Sequence, residues 1–158
     1  MTSILVICTG NICRSPMAAG LLRARLTQDE KREDWRVISA GTWAVGGRGA
    51  SAYAVAEMDE RGIDISTHRS RAVDATLMER ADLVLVMTSG HAEALSVAFP
   101  DQSHKVHRLS EMTGQAYDIA DPYGGTRLEY AYLAQELEQL IDEGYERIVS
   151  LTEEVSRA

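Results

Sequence analysis

Residues Ser3 to Cys8 read Ser-Ile-Leu-Val-Ile-Cys, an apolar run with no polar residue alternating through it. A strand that keeps one face in water alternates. One that does not alternate is buried on both faces, which is the habit of parallel sheets covered by helices on either side. The turn that follows contains Gly10 and Asn11, two residues that tolerate left-handed backbone, and Ser15-Pro16 reads as an N-cap with proline at the first helical position. Met17, Leu21, Leu22 and Leu26 then carry an apolar stripe to about residue 28.

The same alternation of strand and helix continues along the chain. Trp35 to Ala40 reads as a second strand closed by Gly41, and Ala50 to Gly62 as an alanine-rich helix stopped by its glycine, after a loop loosened by Gly46, Gly47 and Gly49. Ile63 to Val73 is polar and shows no period, with one helical turn expected near Thr76 to Arg80. Leu83 to Met87 is a third buried strand, Thr88-Ser-Gly an N-cap for a helix to about Ala98, and Val106 to Leu109 a short fourth strand. Leu133, Leu137, Leu140 and Ile141 mark a long last helix over roughly Arg127 to Leu151, in spite of Gly144. The pattern predicts an α/β chain forming a single three-layer domain over residues 1–158. Its sheet is four-stranded and mostly parallel, with helices on both faces and ligands beyond the carboxyl ends of the strands.

Composition narrows the partners. With 16 Lys and Arg against 24 Asp and Glu, the net charge of −8 repels nucleic acid and anionic membrane, so any anion site must be local. The apolar runs are far short of the ~20 residues of a membrane span, and no basic segment with an apolar core opens the chain as a signal peptide does, so a cytoplasmic protein is expected. Cys8 and Cys13 are the only cysteines, too few for a disulfide scaffold or a zinc ribbon, and their closeness suggests chemistry. His104 and His107 have no third ligand near them, and neither metal nor cofactor is expected.

Cys8 and Arg14 flank five residues between a strand end and a helix start. A loop curled there, Thr9-Gly10-Asn11-Ile12-Cys13, turns successive backbone N–H groups inward and adds the positive end of the helix, making a nest for a tetrahedral dianion. Arg14 supplies a planar fork for two phosphate oxygens, and the same donors stabilise a thiolate, which makes Cys8 a nucleophile. Phosphoryl transfer from an alkoxide or phenolate also needs a group that gives a proton and later takes one from water. Asp121 fits, since Pro122 holds its backbone extended and Gly124-Gly125 turns the chain away; Asp118 is the competitor. Trp43, just beyond the second strand, and Tyr123, beside the acid, are candidate walls for an aromatic ring.

VICTGNICRSP near the start and Asp121-Pro122-Tyr123 near the end together resemble the low-molecular-weight protein tyrosine phosphatase family, over nearly the whole chain. The resemblance implies a hydrolase of phosphorylated proteins or peptides in which Cys8 attacks phosphorus, Arg14 holds the equatorial oxygens and Asp121 serves as acid and then base. It also implies that Ser15 assists the thiolate and that Asn11, with Ser39 and His68, supports the loop. Cys13 is either a redox partner for an oxidised Cys8 or a small residue packed under the loop. Within the family, an arginine-phosphatase branch usually carries threonine where this chain has Ile12, which favours phosphotyrosine here. Met87 to His91 (MTSGH) and Asp121 to Gly125 (DPYGG) resemble that other branch. A related arsenate reductase would need a further cysteine, and a non-catalytic phosphate-binding module would normally lack one of Cys8, Arg14 or Asp121. The oligomeric state is not legible.

Overall fold

In the computed structural model, which describes residues 1–157, the run at the N-terminus is strand β1 (Ser3–Cys8), every residue of it buried. It lies between β2 (Arg36–Gly41) and β3 (Leu83–Val86), and β4 (Val106–Arg108) completes the sheet in the order β2-β1-β3-β4. All three pairings are parallel. The absence of alternation in β1 follows from its two covered faces. Ile4, Val6 and Cys8 join one apolar cluster, whereas Leu5 and Ile7 join the other. The first cluster is closed by α1 (Arg14–Thr27), α2 (Ala52–Asp59) and α5 (Arg127–Arg157). The second is closed by α3 (Ala75–Arg80) and α4 (Ser89–Ala98). The result is the three-layer α/β domain expected, with the strand order changing direction at β1, where parallel sheets open a crevice for ligands.

Local chemistry accounts for most boundaries. Asp74 caps α3 by accepting from Leu77 N at 2.8 Å, and Thr88 caps α4 by accepting from His91 N at 3.1 Å. Gly62, at φ 71°, ends the turn after α2 as its sequence suggested, with Ile63 N bonded to Met58 O and Gly62 N to Asp59 O. Other boundaries moved. The second helix is shorter than Ala50–Gly62 because Ser51 is still extended, its N–H bonded to Ile12 O at 2.8 Å. The last helix runs six residues past Leu151, because Thr152 is buried with its hydroxyl on Ile148 O and Glu153 pairs with Arg32 at 3.0 Å.

Two expectations are corrected by contacts. Ser15 is not the N-cap of α1. Cys13 holds that position without capping by its side chain, and Ser15 and Pro16 lie inside the first turn. Gly144, unfavourable in a helix on propensity alone, lies where a Cβ would meet Met112 Cβ at 2.6 Å, in the 3₁₀ segment Leu109–Thr113. Close backbone packing selects the glycine there. Among the described residues no helix is long and apolar enough to cross a membrane.

Candidate active site

Cys8 ends β1 and the chain then curls back into α1, so the five residues from Thr9 to Cys13 wrap the carboxyl end of the central strand. The curl depends on Asn11, the one non-glycine residue at positive φ (58°) among the described residues. An amide side chain makes that conformation tolerable by hydrogen bonding locally. Asn11 Nδ2 donates to Ser15 Oγ at 2.8 Å and Ser39 Oγ at 2.9 Å, its Oδ1 accepts from Arg71 N at 3.0 Å, and its backbone carbonyl accepts from His68 Nε2 at 2.7 Å. Ser39, on β2, and His68, in the irregular segment before α3, therefore both reach the loop through Asn11. Burial lowers the His68 pKa, which keeps its ring neutral while Nε2 donates.

Ser15 Oγ accepts from Asn11 and lies 3.0 Å from Cys8 Sγ, within reach for its own proton to be given to a thiolate there. Cys8 is only 3% exposed. It lines a cavity of about 220 Å³ together with Thr9, Gly10, Ile12, Cys13, Arg48, Asp121 and Tyr123. No side chain caps α1 and no acidic residue stands in its first turn, which leaves its N-terminal end to face an anion.

Arg14 is buried, and its guanidinium is fixed from one side. Nη1 donates to Ile119 O at 2.8 Å, while Nη2 reaches Thr9 Oγ1 at 3.4 Å and Asp121 Oδ2 at 3.5 Å. Its Nε is buried without a protein partner, a donor that costs about 1–3 kcal/mol unless an oxygen accepts from it. Asp121 is held by a local turn: Oδ1 accepts from Tyr123 N at 3.0 Å, Gly125 N bonds Pro122 O at 2.7 Å, and Gly124 takes φ 77°. Asp118 is occupied elsewhere, since its carboxylate accepts from Ser89 N at 2.8 Å at the start of α4 and from Arg108 at 3.2 Å. Those bonds lower its pKa, the Ser89 N–H most of all. Asp121 lines the cavity and Asp118 does not.

The aromatic candidates divide. Tyr123 lines the cavity. Trp43 bonds Thr9 O through its backbone N–H at 3.0 Å, but the residue is 83% exposed and outside the cavity lining, because it sits in the turn after β2. Cys13 is buried beneath the loop, its thiol 3.2 Å from Tyr130 Oη and 3.5 Å from Ser51 Oγ. Burial pushes the Cys13 thiol up and the Tyr130 phenol to about 12.

Two residues at the site are given no role by the sequence, although His91 ends the MTSGH segment that carries part of the resemblance. Arg48 lies in the glycine-rich loop and still lines the cavity. His91 accepts from Thr88 N through Nδ1 at 3.2 Å, so its Nε2 carries the proton and donates to Thr9 Oγ1 at 2.8 Å. Burial, reinforced by the charge of Arg14, brings the His91 pKa down to about 4 and keeps that tautomer neutral.

The model of the family described as low molecular weight phosphotyrosine protein phosphatase matches residues 3–156. The chain belongs to that family. A probable low molecular weight protein-tyrosine-phosphatase, EpsP of Ralstonia nicotianae, is 40% identical over 149 residues, covering 94% of this chain and 97% of the relative. A protein-arginine-phosphatase of Geobacillus stearothermophilus is also 40% identical, over 146 residues, covering 92% and 95%. The crystal structure of a low molecular weight protein tyrosine phosphatase from T. tengcongensis superposes with a TM-score of 0.86 at 38% identity, covering 93% of this chain and 99% of that one. The fold and the cysteine-based phosphatase chemistry of the family are therefore those of this chain.

Proposed function

We propose that this chain hydrolyses phosphotyrosine in proteins or peptides through a phosphocysteine on Cys8. The observation that carries the reading is the grouping in one small cavity of Cys8 and Asp121, beside a buried Arg14 whose Nε has no protein acceptor. In the first step Cys8 Sγ attacks phosphorus, the S–P bond forms as the P–O bond to the phenol breaks, and protonated Asp121 gives its proton to the leaving oxygen. In the second step Asp121, now a carboxylate, takes a proton from water as that water attacks phosphorus. The S–P bond breaks, and inorganic phosphate and the Cys8 thiolate are released. Arg14 and the loop amides hold the equatorial oxygens through both steps. Ser15 donates to the sulfur, which favours its departure from phosphorus, and the cytoplasm is the compartment that keeps it reduced.

Two named activities occur among relatives of equal identity, so the choice of phosphoamino acid rests on the cavity wall. Ile12 and Tyr123 give it two apolar contacts suited to a phenyl ring. Catalytic efficiencies on matched phosphotyrosyl and phosphoarginyl peptides test the choice, and trapping of phosphorylated Cys8 after an acid quench tests the intermediate. Phosphotyrosine is expected to be the better substrate, and Ile12→Thr to move the ratio toward phosphoarginine. A wild-type ratio that already favours phosphoarginine would transfer the reading to the arginine branch.

A further inference from the structure

The loop after β2 contains Gly46, Gly47 and Gly49 and should wander, yet its centre is pinned. Ser70, itself 3% exposed, accepts from Arg48 N at 2.9 Å through Oγ and donates its N–H to Arg48 O at 2.7 Å. Ser70 O accepts from Gly47 N at 2.9 Å, and the Ser70 hydroxyl donates to Val45 O. The strip that supplies Ser70 also supplies His68 and Arg71 N to Asn11, so one short segment ties the Arg48 loop to the loop that carries Cys8. Backbone bonds on both sides of an exposed residue fix where its side chain starts, which lowers the entropy lost when that side chain engages a ligand.

The side chain held in this way is a cation without a carboxylate. Arg32, Arg61, Arg108 and Arg127 each sit against an acid. Arg48 lines the cavity and, among the described residues, its guanidinium makes no ion pair or hydrogen bond. Arg69 reaches the next residue of the same loop: a Cβ on Gly49 would be 3.6 Å from Arg69 Nη1, and that guanidinium donates to the carbonyl of its neighbour His68, at 2.7 Å. One unneutralised guanidinium, that of Arg48, therefore stands on the wall of the cavity, and a second, that of Arg69, lies against the same loop, on a chain whose net charge of −8 otherwise repels acidic peptides.

The structure assigns to Arg48, seconded by Arg69, the selection of phosphopeptides that carry Asp or Glu next to the phosphorylated residue. This rests on the proposed function for its chemistry and adds the sequence context of the substrate. Arg14 and the loop amides already supply the donors for the phosphate, so a further cation at the mouth is free to pair with a flanking carboxylate. An exposed pair of this kind changes affinity by roughly two- to fivefold per contact at low salt, and less as salt screens it.

The test uses peptides of one length with Glu, Gln or Lys on both sides of the phosphorylated residue, in a phosphotyrosine set and a matched phosphoarginine set. The readout is the Glu-to-Lys ratio of kcat/KM within a set, so any effect of a variant on phosphate handling cancels. The same ratio is read for binding to the Cys8→Ser protein, which needs no turnover. Wild type is expected to favour Glu over Lys at 50 mM salt and to lose much of the preference at 300 mM. Arg48→Ala is expected to weaken the preference, Arg48→Glu to abolish or invert it, and Arg48→Ala with Arg69→Ala to remove it. A ratio unchanged in Arg48→Glu, or equal losses across all three flanks, would overturn the assignment. Failure of the phosphotyrosine reading shows separately, as turnover confined to the phosphoarginine set, and the ratio within that set still decides the role of Arg48.

Discussion

Asn11→Ala is the most informative single change, because the Asn11 side chain both supports the backbone of the loop and bonds the hydroxyl of Ser15. Its side chain makes three hydrogen bonds, to Ser15, Ser39 and Arg71 N, and the two serines are buried. Each bond contributes about 1 kcal/mol net. Alanine at φ 58° adds about 1 kcal/mol of backbone strain. The expected loss of stability is roughly 4 kcal/mol, or a fall in Tm of about 8–16 °C for a domain of this size. Asn11→Asp separates the structural from the chemical contribution. It keeps the tolerance for left-handed backbone and the acceptor for Arg71 N but has no N–H to give, so Ser15 turns its proton to the carboxylate and away from Cys8. Asn11→Asp should therefore lose less stability than Asn11→Ala while its rate of phosphocysteine turnover falls at least as far. Urea unfolding gives the first quantity, and burst kinetics with an aryl phosphate give the second. An Asn11→Ala protein within about 1 kcal/mol of wild type, or an Asn11→Asp protein with undiminished turnover, would refute the argument that these bonds hold the site.

Asp121→Asn should slow hydrolysis of peptide phosphotyrosine by roughly 10²- to 10⁴-fold and of activated aryl phosphates much less, whereas Asp118→Asn should leave rates nearly intact; the reverse order would exchange their roles. Gly144→Ala gains up to about 1 kcal/mol of helix propensity but forces a methyl group against Met112, so urea unfolding should show a net loss of about 1–2 kcal/mol. His91 titrates near 4 in the fold and at 6.5 in the unfolded chain, which therefore binds more protons between those values. Its contribution, bounded at about 3 kcal/mol, is complete above pH 6.5 and lost as pH falls toward 4, a slope that His91→Gln should flatten in unfolding measured at pH 7 and 4.5. Cys13→Ser should keep most activity in reductant and lose recovery after peroxide, read by reactivation with thiol.

What the sequence determined by itself was local. A run without alternation sufficed for a strand covered on both faces, Thr88 and Gly62 for the ends of their helices, and the spacing of Cys8 and Arg14 for an anion loop at a strand end, because each depends on period, cap or turn chemistry within a few residues. Ser39 and His68 came from resemblance to a family, since nothing in their own neighbourhoods marks them. Tertiary structure decided which groups meet. Parallel register places Ser39 on β2 beside the loop that follows β1, and Gly41 N bonds Arg71 O, which sets the strip that reaches Asn11. The same convergence separates Asp121 from Asp118, leaves Trp43 exposed outside the cavity lining, brings His91 to Thr9 and sets Arg48 on the cavity. Thr9 and His91, like Cys8 and Arg48, are separated by tens of positions in the chain, and side chains so far apart become neighbours only through strand register and helix packing, for which sequence spacing carries no signal.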